Sequence, residues 1–344
     1  MKVYNYISML LLVGTAIFVS CSQDEEMSGE NMDSLQSFQI SVLDGGFQDM
    51  DANKTRATES DYSTKFVEGD AIGVFAVRNE AIVGEINNRK FTMQDGIWTL
   101  DDGGDEIEYK GSEFQRMNFY AYYPYKASGV TIDDNKNITV TDFTVEPLVA
   151  NHVDLMLADK VTRLANAPVN QVTFNFNHLL SNINLSFKKD VGIAETKVTL
   201  KTVKIYGMSK KGTFVQSQVP EWAISDTDFV GASDSNLENL ANDNVLDVAT
   251  TVTFNDMLFI PQNTNSVKVD VTYNLGESGA EQPFTRTLDL SYDASDRTYN
   301  PAAWGQNQKI TYNFIISANA IEFGDPTVED WTTTIPDVEV PSIN

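Results

Sequence analysis

Short apolar runs with a period of two, broken every few residues by Gly, Asn, Asp or Pro, dominate this sequence and limit it to a β fold. AIGVFAV (71–77) is a near-continuous apolar run suited to a buried strand. RKFTMQDGIWTL (89–100) places Asp95-Gly96 between two strand-like halves, a strong signal for a two-residue hairpin. NFYAYYPY (118–125) reads as an aromatic strand that stops at Pro124, and VTIDDNKNITV (130–140) as a second hairpin. HVDLMLA (152–158), VTFNFNHLL (172–180) and INLSF (183–187) continue the series. After KKDVG (188–192) it restarts with VTLKTVKIYG (198–207), TFVQ (213–216), MLFIPQ (257–262), SVKVDVTYNL (266–275), FTRTLDLSY (284–292) and KITYNFIIS (309–317). Helical periodicity is weak, with SNLENLAN (235–242) the one candidate turn or two of helix. The pattern predicts an all-β chain of two tandem antiparallel β-sandwich domains, 38–190 and 191–344, with the seam near Lys189–Ala194.

Charge and cysteine usage exclude several functions. The 344 residues carry 49 acidic and 24 basic side chains, a net charge of −25 spread along the chain. Such a surface repels phosphate backbones, so no nucleic-acid partner is expected. One cysteine excludes an internal disulfide framework and thiolate metal clusters. The two histidines, His152 and His178, form no HxH or HExxH pattern, and no GxSxG elbow or phosphate loop is present. His178 lies in an apolar strand and reads as a packed, hydrogen-bonded histidine. The acidic stretches DDGGDE (101–106) and DDNKN (133–137) lack EF-hand spacing and read as solvated turns in preference to Ca²⁺ sites. No cofactor, metal or enzymatic activity is therefore expected.

The amino terminus is different in kind. Lys2 precedes the apolar run Ile7–Val19, which ends at Ser20 and Cys21. As a helix this run rises about 20 Å, short of a hydrocarbon layer of roughly 30 Å, and so reads as a signal peptide over residues 1–20. The segment resembles a bacterial lipoprotein signal, which makes Cys21 the lipidated first residue of the mature chain. Several acyl chains are needed there, because one gives only marginal, reversible membrane binding. The adjoining SQDEE resembles the acidic export tag of Bacteroidota surface lipoproteins, and 21–37 reads as an acidic tether.

Within this region FQISVL (38–43) alternates Phe38, Ile40 and Val42 with Gln39 and Ser41, the period of a half-buried strand. A polar loop, 47–60, comes next and contains Lys54 and Arg56. It reads either as a plain surface loop or as a processing site cut after Arg56, since exposed loops are where proteases cut most easily. The aromatic residues Phe119, Tyr120, Tyr122, Tyr123 and Tyr125 read first as core, alternation sending Phe119 and Tyr123 to one face and Tyr120 and Tyr122 to the other.

Taken together, the lipidation signal, TRAT (55–58), FVEGDAIGVFA (66–76), FYAYYPY (119–125), VDLMLA (153–158), FNFNHLLSNINLSF (174–187), FIPQ (259–262) and WGQNQKITYNFII (304–316), with Ile321 and the VEDW ending at Trp331, resemble the fimbrillins of Bacteroidota. These are subunits of lipoprotein-derived pili. The resemblance implies transthyretin-like sandwiches, an outer-membrane lipoprotein precursor and a trypsin-like processing protease cutting after an arginine in the early loop. Carried to this chain, Arg56 is that arginine and Ala57 the new amino terminus. Removing Phe38–Leu43 would uncover an apolar groove that a strand from another fimbrial subunit enters. The tail 332–344, with Thr334, Pro336, Val338 and Val340 on one parity, is a candidate donor strand, or else the last strand of the second domain and a frayed end. Pro336 and Pro341 would weaken its ladder. The other readings are a surface glycan-binding lipoprotein or tip adhesin, with Trp98, Trp222 or the tyrosines lining a shallow site, and, least favoured, a β-sandwich hydrolase.

Overall fold

The computed structural model describes residues 36–42, 58–60, 63–101, 108–109, 116–164, 171–217, 221–224, 230, 244–277, 279–291, 301–318, 320–324 and 326–330. The chain is all-β. Among the described residues the helical pieces are three short 3-10 turns, Gly84–Ile86, Val149–Asn151 and Val191–Ile193. The apolar runs fall on strands, and 235–242 lies outside the described residues.

The first unit is built on an eight-stranded sheet whose centre is the strand Ala71–Arg78 between Arg116–Tyr123 and Arg89–Gln94. Six consecutive residues of Ala71–Arg78, Ile72 to Val77, are buried, because both faces of this sheet are covered. Asp95 (φ 52°) and Gly96 (φ 77°) both adopt the left-handed conformation that a two-residue turn demands, and join Arg89–Gln94 to Ile97–Leu100. The aromatic strand stops at Tyr123, before Pro124. Its parity splits as alternation requires: Phe119 and Tyr123 enter one hydrophobic cluster, Tyr120 and Tyr122 the other, so both faces are core. Gly73 lies opposite Tyr122 in the register, and a Cβ there would sit 2.2 Å from the ring. The missing side chain lets the Tyr122 ring cross the neighbouring strand and place its hydroxyl on Asn88 Oδ1 (2.8 Å) and the Lys126 carbonyl (2.9 Å).

The second unit stacks two sheets. One pairs Ser181–Lys189 with Val252–Phe259 and, in parallel, with Gln308–Ile316, to which Ile321–Phe323 and Thr327–Asp330 are added. The other orders Asn244–Val245, Val198–Tyr206, Lys268–Leu275 and Gln282–Asp289. Ile183, Leu185, Phe187, Tyr312 and Phe314 of the first meet Leu200, Val203, Val269, Val271 and Tyr273 of the second in one buried cluster. Trp304 donates from Nε1 to Tyr312 Oη (2.9 Å), which satisfies two polar atoms inside it.

Residue 190 does not separate these sheets. Ser181–Lys189 belongs to the second unit, and Lys211–Val215 with Glu221–Ile224 reaches back to pair with Ile138–Thr144. That four-stranded sheet covers the Tyr120 and Tyr122 face of the first, with Trp222 Nε1 donating to the Leu179 carbonyl (3.1 Å). One hydrophobic cluster consequently runs from Phe75 to Ile316.

Candidate functional site: the seat of the first strand

The strand Gln39–Val42 does not enter the eight-stranded sheet. It pairs in parallel with Gln171–Phe174, in the register Gln39↔Gln171, Ile40↔Val172, Ser41↔Thr173 and Val42↔Phe174. The period-two pattern of FQISVL decides its orientation. Ile40 points inward and is buried, Phe38 and Val42 are half-buried against the same cluster, and Gln39 is exposed. On the opposite face Ser41 Oγ meets Thr173 Oγ1 at 2.8 Å. Just before it, Gln36–Ser37 pairs antiparallel with Glu108–Tyr109.

The floor of the seat is the Phe119 and Tyr123 face of the first sheet. The Phe38 ring stands edge-on to Phe119, centroids 4.6 Å apart. Ile40 shares its cluster with Trp98, Val172 and Phe174, all under a tenth exposed. Beyond it Phe66 packs on Trp98 (5.4 Å), Tyr123 (5.2 Å) and Phe176 (5.5 Å). Tyr123 Oη donates to Asp70 Oδ1 (2.9 Å), and the other oxygen of Asp70 accepts from the Val67 amide (2.8 Å). These bonds tie the loop that carries Phe66 to the sheet beneath. Residues beyond the 47–60 loop therefore anchor themselves independently of Phe38–Val42.

Full burial of an Ile, Phe or Val is worth roughly 1.5–3 kcal/mol, so the three inward side chains hold the segment by apolar contact. Their main chain adds one ladder, to Gln171–Phe174. Sequence periodicity identified the inward residues of this strand, but not Val172, Phe174, Phe119 or Trp98 as its seat. VTFNF carried a strand signal of its own, without any indication of its partner.

Of the other candidates, Cys21, Leu43, Arg56, Ala57, Val338 and Val340 lie outside the described residues. Thr58–Ser60 and Ser63–Lys65 pair as a hairpin, a local structure the polar sequence did not predict, and Thr58 is the second residue after Arg56. Trp98, Tyr120, Tyr122 and Tyr123 are buried and Trp222 is packed on Phe143 and Phe214, so these rings present no shallow stacking platform. His178 is buried with Nδ1 on Asp154 Oδ2. His152 joins the two units: Nε2 donates to the Glu146 carbonyl and Nδ1 accepts from the Leu258 amide, each at 2.9 Å. Among the described residues no group of three or more His, Cys, Asp or Glu side chains is placed to hold a metal ion, and no helix is long and apolar enough to cross a membrane.

A family model described as fimbrillin-like matches residues 55–331. A Bacteroides ovatus protein named as a fimbrium tip subunit is 28% identical over 229 residues, 65% of this chain and 40% of its own length. A Bacteroides uniformis protein named as a fimbrium subunit is 26% identical over 333 residues, 93% of each chain. The chain thus spans 40% of the first relative and nearly all of the second. Among solved structures, a Bacteroides uniformis protein named as a cell adhesion protein superposes with a TM-score of 0.53 at 22% identity, covering 87% of this chain and all of its own, which shows a shared fold.

Proposed function

The chain belongs to the fimbrillin-like family, and from that premise we propose that it is a cell-surface fimbrial subunit whose first strand is a removable placeholder. The precursor is exported as a lipoprotein on Cys21. An Arg-specific protease cuts after Arg56, leaving Ala57 as the new amino terminus and detaching both lipid and strand. A strand from a neighbouring subunit then fills the seat, and Val338 and Val340 of the tail are the candidate donor residues for the next subunit along.

The observation that carries this reading is the way Gln39–Val42 is held. It fills an apolar seat, yet among the described residues its ladder runs to a single strand, Gln171–Phe174. Its departure exposes apolar surface and unpaired main-chain groups, the combination that accepts an added strand. The family match adds support, for it starts at residue 55, beside Arg56, and leaves this strand out. The burial of Trp98, Tyr120, Tyr122 and Tyr123 gives a glycan-stacking site no footing on those four residues.

The test is to treat the purified precursor, and its Arg56→Gln variant, with an Arg-specific protease. The expected product begins at Ala57, releases the segment that ends at Arg56, and forms multimers that resist mild detergent; the variant does neither. Cleavage at Arg56 that leaves the segment bound and the protein monomeric would overturn the proposal.

A further inference from the structure

The two units meet along a cleft of about 190 Å³, lined by segments far apart in the chain. Phe143, Leu180 and Leu258 make its apolar floor, each under a tenth exposed. All three belong to the cluster that runs through both units, and Trp222 packs on the Phe143 ring at 5.8 Å. The floor is therefore in place before anything enters. Lys126 lines the same cleft, half-buried, with its main chain pinned. Its amide donates to Tyr122 Oη (3.0 Å), and its carbonyl accepts from Asn88 Nδ2 (2.9 Å). The ammonium stands 5.6 Å from the centre of the Phe143 ring, and among the described residues no carboxylate pairs with it. His152 has both ring nitrogens engaged, with the Glu146 carbonyl and the Leu258 amide, and so serves as a wall. Glu146 supplies the one carboxylate of the lining, exposed and not paired with Lys126.

An apolar floor with one fixed cation beside it suits a small amphiphilic anion. We propose that this cleft binds a small monocarboxylate, its apolar body on Phe143, Leu180 and Leu258 and its carboxylate on Lys126 Nζ. The volume sets the size of the body. A dry cavity of about 150 Å³ admits benzene, so this one takes a chain or ring of about six carbons. The charge sets the head group, because an ammonium held near a ring and without a protein partner is open to a charge-assisted hydrogen bond. The net charge of −25 repels anions in general, so a ligand must gain from the floor as well as from the lysine. An alcohol of the same length lacks the charge, and a shorter acid lacks the body. Glu146 opposes the carboxylate from the same lining. The inference stands apart from the removable strand, for Gln39–Val42 packs on the opposite face of the first sheet, in the other hydrophobic cluster.

The experiment titrates hexanoate into the purified protein and follows backbone amide signals by NMR. Signals of residues 143–146 and 152–153 should shift with a Kd of about 0.1–1 mM, the range for so few atoms. Butanoate should bind about fourfold more weakly for each methylene lost. Hexanol should bind about tenfold more weakly than hexanoate, since it forgoes the bond to a charged group. Lys126→Met keeps an apolar stem at a residue whose hydrogen bonds to the fold run through its main chain. It should bring hexanoate down to the level of hexanol and leave hexanol unchanged. Glu146→Gln, at an exposed position, should tighten hexanoate about two- to threefold. Three results would each overturn the proposal: no shift at these amides up to about 10 mM hexanoate, equal affinity for hexanoate and hexanol, or hexanoate binding undiminished in Lys126→Met.

Discussion

Ile40→Ala separates a removable strand from an integral one. Ile40 is 7% exposed and packs with Trp98, Val172 and Phe174. The substitution deletes three carbon groups at roughly 0.8 kcal/mol each, about 2.4 kcal/mol. The residual cavity raises the cost to about 3–4 kcal/mol. If Gln39–Val42 opens on its own, this loss falls on the local opening equilibrium, because the strand can leave while Phe66 and the sheet stay packed. Amide exchange at Ile40–Val42 should then rise roughly 100- to 700-fold, a factor of ten for every 1.4 kcal/mol. The midpoint of urea unfolding should move less than for Val172→Ala, a smaller deletion on the strand that remains. Tryptophan fluorescence reports the unfolding, and amide exchange read by mass spectrometry reports the opening. A larger midpoint shift for Ile40→Ala than for Val172→Ala, with no selective gain in exchange, would show that the strand unfolds only with the whole unit, and the placeholder argument would fail.

Two further substitutions probe the sheet beneath. Gly73→Ala places a Cβ 2.2 Å from the Tyr122 ring, and since core overpacking costs about 1–3 kcal/mol, thermal denaturation should register a loss at the upper end of that range. Burial pushes the Tyr122 hydroxyl up to about 12 from an ordinary value of 10.0. At pH between these values the unfolded chain loses this proton while the folded chain keeps it, so the stabilisation is full below pH 10 and is lost as pH rises towards 12. The two-unit shift amounts to about 2–3 kcal/mol, and Tyr122→Phe should flatten the fall in urea midpoint over that window.

Local features of the fold could be read directly from the residues. The strand runs, the Asp95-Gly96 turn and the split of the aromatic strand into two faces depend on neighbours within a few positions. The sequence also carried the inward triplet Phe38, Ile40 and Val42, because a period of two states which side chains share a face. It did not state whether that face would meet core or water. For this reason Trp98, Tyr120, Tyr122 and Tyr123 admitted a ligand-stacking reading until the covering strands were placed around them.

Partnership was decided by the tertiary structure alone. Nothing local in Lys211–Ile224 directs it across residue 190 to Ile138–Thr144, and nothing in Gln39–Val42 names Gln171–Phe174 as its parallel neighbour. Alternation sets the face of a strand but leaves its register and partner open, and these are selected by which pairing buries the most apolar surface across the whole chain. The sequence by itself thus determined that this chain is built of strands and which side of its first strand seeks cover; where that cover lies emerged only once distant segments were packed together.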